Sequence, residues 1–346
     1  MAIQTVTGPI KKEEIGAALP HEHLLIDLRA LAAGRQKETP SFYDKVGLEN
    51  RYKVFVDPYA LSDNAVMDSE ETALKELVAL RGDGCETVTD VTTDEIGRNP
   101  AALKRLSEAS GVKIVMGCGF YVGAAHTDAF KSMTVKEAAA RIAEDLNVGA
   151  GGTGIRAGVI GEIGTGATVT ESEWKAVDAA AEASLAAGRS IHVHTSLYER
   201  NGLAVADRLI GRGVNPARVC IDHVDVDLRR DYLLKLLDKG VYIEFDNFGK
   251  EFYIPKRGDG VLRGRFAYDL ERVKTIGALV RRGFIRQILI TNDICLKSML
   301  QSYGGNGYGH IFRNVAPMLL GEGLSAEQVD VLTRGNPADF LDGEGA

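Results

Sequence analysis

The chain has 346 residues, of which 45% are hydrophobic and 26% charged, with a formal net charge of −7. That apolar content supplies a large core and excludes a disordered chain, while the acidic balance argues against a nucleic-acid partner and for a small-molecule one. The start, Met1-Ala-Ile-Gln-Thr-Val-Thr-Gly-Pro-Ile, lacks the basic and apolar stretches of a signal peptide, and no apolar run reaches the length of a membrane span, so a cytoplasmic location is expected.

Strand-like and helix-like stretches alternate along the chain, the pattern of parallel β/α architecture. The first predicted strand, Ala17 to Leu28, carries Leu19-Pro-His-Glu-His-Leu-Leu-Ile, and side chains two apart on a strand share a face, so His21 and His23 aim at one spot. From residue 30 to about 68 helical patterning is weak, and Phe42, Tyr43, Tyr52, Phe55 and Tyr59 recur among prolines and charges. A long connection of this kind is usually functional, and here it is expected on the C-terminal face of a barrel as a lid or a dimer contact. The second and third strands, Glu86 to Thr92 and Val112 to Phe120, flank a helix opened by Asn99-Pro100 and closed by Gly111. Thr134 with Glu137, Thr170 with Glu173 and Ser325 with Gln328 are capping boxes that start further helices.

The glycines from Gly149 to Gly154 match a dinucleotide-binding pattern, but they follow a helix and precede a strand, the reverse of the required order, and read as a turn. The fourth strand, Ala157 to Ile163, places Glu162 inside Gly158-Val-Ile-Gly-Glu-Ile-Gly. The fifth, Ser190 to Thr195, holds His192 and His194, and the sixth, Arg218 to Val224, ends near His223. Gly240 to Phe245 and Gln287 to Asp293 complete eight strands. Eight strands with intervening helices close most naturally into a (β/α)8 TIM barrel, expected as one domain over residues 1–346. The four cysteines show no paired spacing and are expected as buried thiols.

Position gives the polar residues their meaning. His21, His23, Glu162, His194, His223 and Asp293 all fall near C-terminal ends of predicted strands, which converge on one mouth of a parallel barrel. Singly, a strand histidine is an ordinary core residue and a strand-end carboxylate an ordinary helix cap. Jointly they form a ligand set, because Glu162 and Asp293 lie in apolar runs and a buried unpaired carboxylate costs several kcal/mol or more. Four imidazoles and two carboxylates exceed the needs of one tetrahedral ion, which points to two divalent ions bridged by a carboxylate. Nitrogen and oxygen donors favour Zn2+, with Mn2+, Fe2+ or Co2+ as alternatives.

His21-Glu-His, Glu162, His194-Thr, Asp222-His223, Asn292-Asp-Ile-Cys-Leu-Lys-Ser, Tyr303-Gly-Gly-Asn-Gly-Tyr-Gly-His-Ile and Arg334-Gly-Asn-Pro together resemble the phosphotriesterase-related family of the amidohydrolase superfamily, over nearly the whole chain. The resemblance implies a distorted barrel with a binuclear metal centre and a homodimer. It implies that His21, His23 and Asp293 hold the more buried ion, that His194 and His223 hold the more exposed one, and that Glu162 bridges them. The phosphotriesterases proper use a carboxylated lysine as bridge; glutamate stands there in this chain. His192 matches no ligand position and is expected in the core or behind a ligand. Asp293 is the expected catalytic group, taking the proton of a metal-activated water and passing it to the leaving group.

For the substrate, Lys250, Lys256, Arg257, Arg263 and Arg265 make the stretch after the seventh strand locally basic against Glu251 and Asp259, either as a solvated loop or as a clamp for an anionic group. Lys250 is the first candidate, followed by Arg98 and Lys297, and Tyr121 is expected to line the pocket. A lactone or carboxylic ester of an anionic metabolite is the expected substrate. An organophosphate triester or an N-acyl amide is the alternative for the same centre, and a non-catalytic ligand-binding barrel is the alternative of another class.

Overall fold

The computed structural model describes residues 2–32, 40–254 and 264–343. Eight strands form one sheet: β1 (Ala18–Glu22), β2 (Thr87–Asp90), β3 (Lys113–Cys118), β4 (Val159–Gly164), β5 (Ile191–His194), β6 (Val219–Ile221), β7 (Tyr242–Phe245) and β8 (Ile288–Ile290). They lie side by side in chain order and every adjacent pair is parallel. Each coincides with an expected strand. Helices α1 (Glu70–Gly82), α2 (Pro100–Ser110), α3 (Val135–Asn147), α4 (Glu171–Ala187), α5 (Gly202–Gly211), α6 (Arg230–Leu237) and α7 (Asp269–Val280) fill the connections. The architecture is therefore a (β/α)8 barrel. No helix among the described residues is long and apolar enough to cross a membrane.

The helix ends form where the sequence signals them. Asn99 caps α2 by accepting from the Ala102 N–H, and Gly111 ends it in a left-handed conformation. Thr134 and Thr170 cap α3 and α4 in reciprocal pairs with Glu137 and Glu173, and Ser325 pairs with Gln328 in the same way. The Gly149–Gly154 run is the turn between α3 and β4.

The strands are buried on both faces, and their alternation separates two jobs. On β7, Ile243 and Phe245 pack outward in the main apolar cluster beneath the helices, whereas Tyr242 belongs to a second cluster with Ile3, Val115, Val159, Leu289 and Phe340 that plugs the barrel floor. Each fully buried side chain of this size contributes about 1.5–3 kcal/mol. Above that floor the inward positions turn polar: His21, His192, Asp222 and Glu244 are each 0% exposed.

The barrel is distorted at its seam. The hydrogen-bonded order ends at β1 and β8, and a side chain joins these two edges. The Glu22 carboxylate accepts from Thr291 Oγ1 at 2.6 Å, from Asn292 N and Nδ2 at 2.9 Å each, and from Ile294 N at 2.8 Å. Thr291 Oγ1 also lies 3.0 Å from the His21 carbonyl.

The excursion after β1 folds back over the same end of the barrel. Its described part contains Pro40–Tyr43, the helix Arg51–Val56 and Ser62–Ala65, and its base is tied by an antiparallel pair between Ile26–Asp27 and Val66–Met67. Cys85, Cys118 and Cys220 are buried free thiols and Cys295 is half-buried.

Glu22→Ala orphans several buried donors, so an equilibrium urea denaturation should show a loss of about 3 kcal/mol or more, against about 1 kcal/mol for Thr170→Ala at the α4 cap. Equal, small losses from the two would refute the seam's importance.

Candidate metal centre

The C-terminal ends of β1, β4, β5, β6 and β8 bring His21, His23, Glu162, His194, His223 and Asp293 together. Ligand atoms of His21, His23 and Glu162 lie within 4.8 Å of one another, as do those of Glu162, His194 and His223, and those of His21, His223 and Asp293. His21 Nε2 is 3.4 Å from Glu162 Oε2 and 3.6 Å from Asp293 Oδ1. His23 Nε2 is 3.6 Å from Glu162 Oε1 and 3.2 Å from the same Asp293 oxygen. On the other side of Glu162, its Oε2 lies 2.9 Å from His194 Nδ1 and 3.2 Å from His223 Nε2. Glu162 therefore sits between two histidine pairs. His223 and Asp293 reach this point from left-handed backbone, φ 60° and 46°, a conformation that costs a non-glycine residue about 1–3 kcal/mol and is tolerated mainly at functional sites.

These atoms fit divalent cations. His21 Nδ1 is held 2.9 Å from Glu244 Oε2, leaving Nε2 buried without a hydrogen-bond partner and facing the two carboxylates. His194 Nδ1 and His223 Nε2 stand 2.9 Å apart, and two ring nitrogens that close need a proton or a cation to reconcile them. Burial disfavours a charged His21, yet Glu244, Asp222 and Glu162 raise its pKa well above the ordinary value. His223 is raised in the same way, against burial, by Asp246, Glu162 and Asp293. Burial pushes Glu162 and Asp293 up, but His194 and His21 hold Glu162 well below the usual carboxylate range, and Lys250 and His23 hold Asp293 below it. The carboxylates create a demand for positive charge at the place where imidazole lone pairs converge.

A supporting layer lies deeper. His192 Nδ1 is 3.2 Å from Asp222 Oδ1, Asp246 Oδ2 is 3.0 Å from His223 Nδ1, and Thr92 Oγ1 is 2.9 Å from His23 Nδ1. His192 thus stands behind the cluster. Glu244, Asp246 and Thr92 were not anticipated, although Glu244 in Tyr242-Ile-Glu-Phe gives the same signal as Glu162, a carboxylate within an apolar strand. Such groups fix the ring orientation of a metal-binding histidine.

The candidate substrate residues divide. Tyr121 and Lys250 line a pocket of 90 Å³ over the cluster, walled largely by apolar side chains such as Leu28, Pro58, Leu197 and Phe266, with Tyr59 also from the excursion. The Tyr121 hydroxyl lies 3.4 Å from His194 Nδ1. Lys250 is committed to Asp293 Oδ2, so its ammonium is a partner of that carboxylate and not a free clamp. Arg98 is outside the pocket: its buried guanidinium pairs with Asp94 at 2.6 Å and Asp145 at 2.7 Å and donates to the Gly117 carbonyl. Lys297 is also elsewhere, bonded to Asp63 at 2.8 Å. Both corrections share a cause, nearby carboxylates that satisfy the cation before any ligand arrives. Arg265 pairs with Glu271 on the surface. Lys256, Arg257, Asp259 and Arg263 lie outside the described residues.

Comparison with known proteins places this geometry in context. Residues 1–341 match the model of the phosphotriesterase family. The chain is similar to an N-acetyltaurine hydrolase of Xenopus tropicalis, 31% identical over 98% of this chain and 97% of the relative. Among solved structures it is similar to a resiniferatoxin-binding protein from Rhodobacter sphaeroides, with a TM-score of 0.93, 28% identity and coverage of 100% and 96% of the two chains. It is also similar to a mutant of a PTE-like lactonase from Deinococcus radiodurans, with a TM-score of 0.76, 29% identity and coverage of 98% and 99%.

Metal analysis by inductively coupled plasma mass spectrometry, on protein expressed with zinc or manganese and desalted, should find about two divalent ions per chain. His194→Ala should lower that to about one. A wild-type protein that retains no metal after reconstitution would count against the centre.

Proposed function

The chain belongs to the phosphotriesterase family, and from that membership and the cluster geometry we propose that it is a metal-dependent hydrolase acting on a small N-acyl amide. The observation that carries the hydrolase reading is the convergence of His21, His23, His194, His223 and Asp293 around Glu162 at the floor of a pocket. Two divalent ions, zinc by the nitrogen and oxygen donor set, held by His21, His23 and Asp293 on one side and by His194 and His223 on the other with Glu162 between, would supply an acidified water and a Lewis acid for the carbonyl.

The side chains do the rest. Asp293 turns Oδ1 toward the histidines and Oδ2 toward Lys250, so it accepts the proton lost by the attacking water and returns it to the departing nitrogen. Lys250 keeps that carboxylate ionised and oriented, its own pKa raised by Asp293, Cys295 and Asp246 against the opposing effect of burial. Tyr121, whose phenol burial keeps protonated and whose hydroxyl lies 3.4 Å from His194 Nδ1, would donate to the substrate's carbonyl oxygen. Water adds to the carbonyl carbon, the C–N bond breaks, and a carboxylic acid and an amine leave.

An amide is favoured over the expected ester for two reasons. An amine leaves only if it is protonated, and the Asp293–Lys250 pair provides a buried proton-handling group on the pocket wall. The similarity to an N-acetyltaurine hydrolase runs over the whole chain, and a pocket of 90 Å³ suits a short acyl group. A lactone or ester is the second reading, favoured by the similarity to a PTE-like lactonase and by the apolar walls.

A panel of short N-acyl amino acids and aminosulfonates, lactones, carboxylic esters and neutral phosphotriesters, assayed with metal-loaded protein, should give the highest kcat/KM on an N-acetyl substrate with an anionic leaving amine. Lactone turnover tenfold faster would reverse the order of the two readings, and two bound metals with no turnover of any class would support a binding protein. Asp293→Asn should lower kcat by about 10²–10⁴.

A further inference from the structure

A second cavity, larger than the catalytic one, opens between the Arg51–Val56 helix, the loop after β7 and the loop after β8. Its volume is 370 Å³, within the range of about 300–1,000 Å³ typical of small-molecule sites, and among the described residues it shares only Phe252 with the 90 Å³ pocket. The glycine-rich stretch Tyr303-Gly-Gly-Asn-Gly-Tyr-Gly-His, which the proposed reaction leaves without a role, supplies much of its wall. Gly305 packs so tightly that an added Cβ would stand 2.1 Å from the Met299 backbone, so this wall is built for close approach of one loop to another.

Two residues of the lining each carry a buried polar atom without a hydrogen-bond partner. Asn292 is 1% exposed; its Nδ2 donates to Glu22 and to the Tyr308 carbonyl, while its Oδ1 is buried and accepts nothing. Arg51 Nε is likewise buried without a hydrogen-bond partner. The other ionisable groups of the lining are engaged: Asp269 takes Gly249 N, Arg272 and His310, and Glu251 Oε1 takes the Asp269 N–H. A buried acceptor left unmet is destabilising, and a ligand's donor would relieve it. Phe55, Phe248 and Phe252 give flat apolar surfaces between these groups.

We propose that this cavity is a second ligand site, distinct from the metal centre, that takes a small flat organic anion carrying one O–H or N–H donor, with the anionic group on Arg51 and the donor on Asn292 Oδ1. The probe is 4-hydroxybenzoate, followed by isothermal titration calorimetry on the metal-loaded protein and on the same protein after chelation. Wild-type protein should bind it saturably and with the same Kd in both states. Benzoate, which lacks the donor, and 4-hydroxybenzyl alcohol, which lacks the charge, should each bind about tenfold more weakly, the effect of one lost hydrogen bond to a buried or charged group. Arg51→Gln should weaken 4-hydroxybenzoate about tenfold, and Arg51→Glu should shift preference to 4-hydroxybenzylamine. Absence of saturable binding, equal binding by Arg51→Gln, or binding that disappears on chelation would overturn the proposal, the last because it puts the probe on the metals. Binding is read without turnover, so its failure is separable from failure of the hydrolase reading.

Discussion

A carboxyl group buried inside a protein needs a proton, a hydrogen-bonding partner or a compensating charge, and this barrel buries several at one level. Glu162, Asp222, Glu244, Asp246 and Asp293 are each no more than 5% exposed, and all lie at or near the C-terminal ends of strands. Their mutual repulsion would be severe at low dielectric. Histidines interleave with them: His21 between Glu244 and Glu162, His192 beside Asp222, His223 between Asp246 and Glu162. The barrel floor excludes water with Ile3, Val115, Tyr242 and Phe340, so the compensation within the protein comes from imidazole, from Lys250 and, at Glu244, from a proton that burial and Asp222 favour. The same constraint accounts for the left-handed backbone at His223 and Asp293, which turn inward two and three residues beyond the ends of their strands.

Much of this was legible in the sequence because a strand writes its geometry with period two. His21 and His23, and His192 and His194, announce inward faces, and the (β/α)8 order follows from eight apolar runs spaced by capped helices. Asn99, Thr134 and Thr170 cap as read because a cap is a local hydrogen bond within three residues. What could not be read locally depended on contacts between distant segments. Lys297 meets Asp63 across 234 residues, and nothing near it in the chain reveals that it is already neutralised; Arg98 meets Asp145 across 47 residues, although its second partner, Asp94, stands only four residues away. Glu244 differs, because its apolar context in Tyr242-Ile-Glu-Phe gives the same local signal as that of Glu162.

The seam shows how the fold and the chemistry share one residue set. Glu22 stands between His21 and His23 at the end of β1, and its side chain points away from theirs to gather Thr291, Asn292 and Ile294 from the far edge of the sheet. Asp293 lies within that gathered segment. The bond network that closes β1 onto β8 is thus the one that delivers Asp293 to His21 and His23, so registry at the seam and geometry at the cluster cannot vary independently.

Substrate choice is under no such tie. The cluster is supplied by strand ends, but the walls above it come from connections: Leu28, Pro58 and Tyr59 after β1, Leu197 after β5, Phe252 and Phe266 after β7, and Leu296 after β8. A connection can change length and side chains without moving a strand, since its contacts with the sheet are few. A cluster held by strand ends can therefore keep its donors while the walls above it change. The donor set of the strand ends therefore bounds the chemistry open to this chain, and the loop side chains facing Asp293 across a pocket of 90 Å³ bound what can reach it.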